Sequence, residues 1–119
     1  MVLGLLCLCG PVLAGDPVIA RFETDGEILE ITAADVSEAA PLFGDQGPGL
    51  AFELAPDAGV EFADLTERAK GQTLTFSVCG EVLVRAVVQE RISGRGQVGL
   101  DSLGEANFYA RVLNGEISC

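Results

Sequence analysis

The chain has 119 residues, enough for one modest hydrophobic core and too few for two. Eighteen Asp and Glu stand against seven Lys and Arg, a net charge of −11, and there is no histidine. The charge repels nucleic acid and anionic lipid, which bind through clustered positive charge, and the missing histidine excludes Ser-His-Asp and Cys-His catalysis and an ordinary zinc site.

Met1 to Ala14 is an uncharged apolar stretch ending in Val12-Leu13-Ala14, which suits a signal-peptidase site before Gly15. It is too short to span a bilayer. The expectation is a signal peptide cleaved near Ala14, with residues 15–119 as a single periplasmic or secreted domain that has no membrane span. The Lys or Arg that usually precedes such an apolar run is missing. A buried apolar strand is the alternative. Cleavage would leave two cysteines, Cys79 and Cys119, and two cysteines in an exported chain are expected to pair. A bridge closing a loop of about forty residues would stabilise the fold by roughly 3–4 kcal/mol. Two free thiols or an intermolecular bridge are the alternatives.

Val18 to Phe22 and Ile28 to Ile31 are β-favouring runs around Thr24-Asp25-Gly26 and read as a first hairpin. Thr32 with Asp35 resembles a capping box, which predicts a short helix through about Ala40, ended by Pro41. Phe43 to Gly49 reads as a loop, followed by a strand with Leu50, Phe52 and Leu54 on one face. Pro56 opens an amphipathic helix running to about Lys70, with Ala58, Phe62, Leu65 and Ala69 on its apolar side and Gly71 as its stop.

Leu74, Phe76 and Val78 alternate into a two-residue turn at Cys79-Gly80, and the return strand Glu81 to Val88 makes a second hairpin. The first position of such a turn favours Asn, Asp or Gly because it needs positive φ, so a cysteine there calls for a separate reason. A loop follows at Ile92-Ser93-Gly94-Arg95-Gly96. Ser102 with Glu105 forms a capping box for a last helix whose buried side is Ala106, Tyr109, Ala110 and Leu113. Asn114-Gly115 ends it, and Glu116 to Cys119 is a short strand or tail. The order predicts an α+β fold, with a mixed, mostly antiparallel sheet and about three helices packed on it.

Three pairs of carboxylates stand close in sequence: Glu27 with Glu30, Asp57 with Glu61, and Glu61 with Asp64. Each fits an exposed strand or helix face better than an acid/base dyad, so no catalytic residue is assigned and no enzyme is expected. No stretch has the spaced pattern of a calcium loop, and no metal or cofactor is expected. Gly94-Arg95-Gly96 does not lead from a strand into a helix as a phosphate cradle does, and reads as a loop needing permissive backbone angles. Arg85, Arg91 and Arg95 bring three of the seven basic residues together. With Ser93, Gly94, Gly96 and Gln97 they form the candidate surface for a carboxylate or a peptide carbonyl. Pairing with neighbours such as Glu81 and Glu90 is the alternative.

From about Ile31 to Cys119 the order of motifs resembles the head subdomain of the first periplasmic domain of SecD, a protein-export subunit that acts with SecF. The resemblance rests on Gly59-Val60-Glu61-Phe62-Ala63-Asp64-Leu65-Thr66, on the strand-turn-strand Thr73 to Val88, on Ile92-Ser93-Gly94-Arg95-Gly96-Gln97-Val98, and on Leu113-Asn114-Gly115-Glu116-Ile117. The family's Asp-Gly turn is Cys79-Gly80 here, and its proline-bearing exit is replaced by Glu116-Ile117-Ser118-Cys119. Both cysteines stand where the resemblance fails, which strengthens the expected Cys79–Cys119 bridge. The family's proton-coupled membrane helices have no counterpart in these residues, so proton-driven export by this chain alone is not expected.

The resemblance implies a non-catalytic binding module that contacts exported polypeptide or a Sec or other envelope partner, through the helix Pro56 to Lys70, the hairpin and the Ile92 to Gln97 loop. A structural or inhibitory envelope protein that has the fold without a transport role is the alternative. A carboxylate enzyme using Glu61 and Asp64 is a third reading. No oligomeric state is implied.

Overall fold

The computed structural model describes residues 16–119, so the expected signal peptide, residues 1–14, lies outside them. β1 (Val18–Glu23) and β2 (Ile28–Thr32) form the first hairpin. A three-residue 3-10 turn, Ala33–Asp35, leads into β3 (Val36–Gly44) and β4 (Gly47–Leu54). Then come α1 (Pro56–Arg68), the hairpin β5 (Thr73–Val78) and β6 (Glu81–Val87), β7 (Arg95–Gly99) and α2 (Leu103–Leu113). The strands make two sheets, one ordered β2-β1-β5-β6 and one ordered β3-β4-β7. Every pairing is antiparallel. The fold is therefore α+β, with two α-helices rather than about three and two sheets rather than one among the described residues.

The missing helix is the one expected from Thr32 to Ala40. The carboxylate of Asp35 does turn back on Thr32, accepting from its backbone N–H at 2.9 Å and its hydroxyl at 3.2 Å. This local cap holds only the 3-10 turn. From Val36 the chain is extended because β3 can bury Ala39 and pair with β4 from Val36 to Gly44, and that tertiary pairing outweighs the weak helix preference of an alanine-rich segment. Pro41 lies inside β3 rather than ending a helix. It is tolerated because β3 is an edge strand, where a missing backbone donor leaves no ladder bond unmade. Both backbone groups of Ala39 are met by one side chain: the Asn114 amide accepts from Ala39 N–H at 2.9 Å and donates to its carbonyl at 2.8 Å. The end of α2 thus covers part of an exposed strand edge.

The expected loop from Phe43 to Gly49 is also mostly strand, closed by the turn at Asp45-Gln46. Gly49 is buried in β4, and a Cβ there would stand 2.7 Å from the Val98 carbonyl oxygen of β7. The two α-helices match their sequence signals. α1 begins with Pro56 and buries Ala58, Phe62, Ala63, Leu65 and Thr66. The Ser102 hydroxyl accepts from Glu105 N–H at the start of α2, which buries Ala106, Tyr109, Ala110, Val112 and Leu113. Residues after α2 form no strand.

Cys79 has φ 54° and Gly80 has φ 80°, the left-handed pair that a tight type I′ hairpin turn demands. Cys79 is the one non-glycine residue among the described residues with positive φ. It is bonded to Cys119 across a sequence separation of 40, with the two Cα atoms 5.5 Å apart.

The core is centred on four phenylalanines. Phe22 of β1 and Phe76 of β5 stack with ring centroids 4.7 Å apart, Phe62 of α1 lies 4.4 Å from Phe22, and Phe52 of β4 lies 5.2 Å from Phe76. These rings tie one face of each sheet to α1, while α2 packs against β3 and β4 and touches β1. Phe22, almost wholly buried, touches all three other rings. Phe22→Ala is expected to destabilise the protein by about 3–5 kcal/mol in urea unfolding. A loss under about 1 kcal/mol would show that the ring cluster is not the centre of the core.

Candidate functional site

The segment from Val88 to Arg95 is fastened to α1 and β4 by backbone contacts. The buried Thr66 hydroxyl donates to the Ala63 carbonyl at 2.9 Å and accepts from Ile92 N–H at 2.9 Å. Two residues on, the Gly94 carbonyl accepts from Leu54 N–H at 2.7 Å. Between these anchors Gly94 lies against Gly59 of α1, and a Cβ on Gly94 would fall 2.8 Å from the Gly59 Cα. Neither Gly94 nor Gly96 has positive φ. Their glycine character answers to close approach rather than to permissive angles: at Gly96 a Cβ would meet the Phe52 ring at 2.6 Å. The expected loop Ile92 to Gly96 therefore ends early, because Arg95 and Gly96 already belong to β7, paired with Glu53 and Phe52.

The candidate residues fall into three places. Arg91, Ser93, Gly94 and Arg95 line a groove whose other wall is Pro56, Gly59, Val60 and Ala63 of α1. Arg95, Gly96 and Gln97 border a second depression on the outer face of the three-stranded sheet, beside Glu38, Ala40, Ala51 and Glu53. Arg85 lies on β6 of the other sheet, opposite Thr75, and lines neither.

The two groove arginines have carboxylate partners, though not Glu81 or Glu90. Arg91 meets Asp64 of α1 at 3.0 Å, and Arg95 reaches Glu53 of β4 at 3.9 Å. Both pairs are exposed, so each is worth little and can exchange for another carboxylate or carbonyl at small cost. Arg85 makes no ion pair among the described residues.

Of the carboxylates that stand close in sequence, Glu27, Glu30 and Asp64 pair with arginines. Glu27 takes two hydrogen bonds from Arg68, at 3.0 and 2.7 Å, and these hold its carboxyl below the usual carboxylate range. Asp64 is engaged by Arg91, and Glu61 is exposed. Among the described residues no group of three His, Cys, Asp or Glu is placed to hold a metal ion. No described helix is long and apolar enough to cross a membrane.

Sequence reasoning put the helix Pro56 to Lys70 in the contact surface without singling out Val60, which is 59% exposed in the groove. A signal was present: Val60 falls between the buried positions Ala58 and Phe62, off the apolar face of α1, where a valine has no core to enter. Among the described residues β7 stands at one edge of its sheet, with no strand paired to one side of its backbone.

The SecDF, P1 head subdomain family matches residues 22–117 of this chain. The protein translocase subunit SecDF of Thermus thermophilus is 27% identical over 112 residues, an alignment spanning 85% of this chain and 15% of that protein. Two solved structures superpose with a TM-score of 0.64 at 29% identity over 71% of this chain. One is described as a membrane component SecDF that enhances protein export, of which 40% is covered. The other is SecDF in a super-membrane-facing form, of which 12% is covered. The chain thus spans less than half the length of each of these relatives.

The groove depends on the backbone contacts that press residues 92–94 onto α1. Thr66→Val leaves the Ile92 N–H without its acceptor and is expected to cost about 1–3 kcal/mol. Gly94→Ala is expected to push the segment off α1 and speed exchange of the Leu54 amide at least tenfold. Unchanged stability in the first variant and unchanged Leu54 exchange in the second would contradict this account of how the groove is held.

Proposed function

The chain belongs to the SecDF P1 head subdomain family, and from that premise we propose that it is a non-catalytic module of protein export, placed in the periplasm, that contacts exported polypeptide. The contact surface is the groove between α1 and residues 91–97, together with the open edge of β7. The observation that carries this reading is the combination found there. An extended segment laid beside β7 would find free backbone donors and acceptors on the strand edge, the β-augmentation mode of peptide recognition. Its side chains would reach the apolar wall of Pro56, Val60 and Ala63, and its carbonyls or carboxylates the two exposed arginines. Backbone pairing is indifferent to sequence, which suits a module that meets many different exported chains.

The overall charge of −11 fits this role, since a weak and reversible contact is easier to keep where long-range attraction to other acidic proteins is absent. Paired arginines serve the same end, because exposed ion pairs can be displaced at little cost. The carboxylates, engaged by arginines or scattered over exposed faces, offer no acid/base pair, which supports a binding role over a catalytic one.

Photo-crosslinking probes placed at Val60, Gln97 and, as a control, Glu23 would test the reading with a permanently unfolded, reduced and alkylated polypeptide. Adducts are expected at Val60 and Gln97 and not at Glu23. Arg91→Ala with Arg95→Ala should reduce them several-fold, and Arg85→Ala should leave them unchanged. No adduct at either groove position, or equal adducts at all three, would overturn the assignment of this surface.

A further inference from the structure

The disulfide fastens a segment that little else holds. α2 ends in a Schellman turn, with Gly115 at φ 77°, Gly115 N–H donating to the Val112 carbonyl at 3.0 Å and Glu116 N–H to the Arg111 carbonyl at 2.9 Å. Among the described residues hydrogen bonding of the segment stops there, and Ile117, Ser118 and Cys119 make none. Ile117 is half-buried and packs against the core, while Ser118 and Cys119 are exposed. Residues 115–119 line a groove with Asp16 to Ile19 of the β1 end, Ala33 and Val112. Among the described residues, one apolar side chain and one covalent bond keep residues 117–119 in place.

The two sulfurs are not equivalent. Cys79 is half-buried against the core, at the turn between two paired strands, and its N–H donates to the Ile19 carbonyl at 2.8 Å. Cys119 is exposed on an irregular segment, open to an attacking thiolate. A bond whose exposed half sits on a loosely held segment, and whose other half sits on a hairpin carried by the core, can be cut without disturbing the sheets. The ring cluster and both helices have their own contacts and do not run through the bridge.

We propose that the Cys79–Cys119 disulfide is a redox-operated latch, opened by a dithiol reductant, that releases residues 117–119 from the groove beside the start of β1 while the rest of the fold stays intact. A thiolate of the reductant attacks Sγ of Cys119, the Cys119–Cys79 bond breaks, and Cys79 leaves as a thiolate that takes up a proton. The second thiol of the reductant then displaces Cys119, so the protein gains two thiols as the dithiol becomes a disulfide. Ile117 is then held by its own packing alone, and the apolar wall of Val18, Ile19 and Val112 is uncovered.

The test is a backbone amide NMR comparison of the oxidised protein with the same protein treated with dithiothreitol at neutral pH without denaturant, alongside Cys119→Ser and Cys79→Ser. Two thiols per chain more than in the oxidised protein are expected, with order parameters of residues 117–119 falling from about 0.85 to below about 0.6. Shift changes should stay within residues 16–20, 33, 79–82 and 112–119, and both variants should reproduce the reduced spectrum. Resistance to reduction in the folded state would overturn the proposal. So would order retained at residues 117–119 after reduction, which would make the bond a passive cross-link. Collapse of the Phe22, Leu50 and Phe76 resonances to unfolded positions would overturn it as well, because the bridge would then support the whole fold.

Discussion

The contact among Phe22, Phe52, Phe62 and Phe76 is the constraint on which the rest of the structure depends. Two of its rings come from the four-stranded sheet, one from the three-stranded sheet and one from α1, so it joins three pieces of structure at one point. Tilted and stacked aromatic contacts at these spacings add about 0.5–1.5 kcal/mol per pair beyond the area they bury. The cluster also reaches the candidate site. The Phe52 ring occupies the space that a side chain at position 96 would need, and α1, positioned through Phe62, brings Gly59 against Gly94. The groove is the outer side of the same packing that makes the core.

Polar chemistry does little to hold the fold together and more to shape its surface. Among the described residues six ion pairs are spread over the exterior, with side chains half-exposed or more, and they occupy six of the seven basic residues. Pairs of this kind contribute at most about 1 kcal/mol each and are screened by salt. They leave the protein strongly acidic but with its few cations fixed in place. At Arg91 and Arg95 that fixing keeps two displaceable guanidinium groups beside an apolar wall.

Much of this was legible in the chain. The Cys79-Gly80 turn, the apolar faces of α1 and α2 and the Ser102 cap all carry strong local patterns, and the helix and strand periods decide them. The segment from Thr32 to Ala40 misleads because its signals are local and its outcome is not: a real cap at Asp35 serves one turn, and then β4 captures the chain. Gly94 and Gly96 carry a different kind of information. A glycine required by a neighbour's approach and one required by positive φ are the same letter, and only the packing of Gly59 and Phe52 separates them. The pairing of Arg91 with Asp64, across 27 positions, likewise depends on where the tertiary fold lays residues 88–95. The grouping of Arg91 with Arg95, and the distance of both from the sheet that carries Arg85, follows from that same placement.

If the ring cluster makes the two sheets one cooperative unit, they should open together. Native-state hydrogen exchange across a series of low urea concentrations measures this directly at the Phe22 and Phe76 amides of one sheet and the Leu50 and Phe52 amides of the other. The account predicts that all four converge on one opening free energy with the same urea dependence. Exchange at Leu50 and Phe52 that stays more than tenfold faster, with a shallower urea dependence, would mean that the three-stranded sheet opens by itself, and the claim would fail.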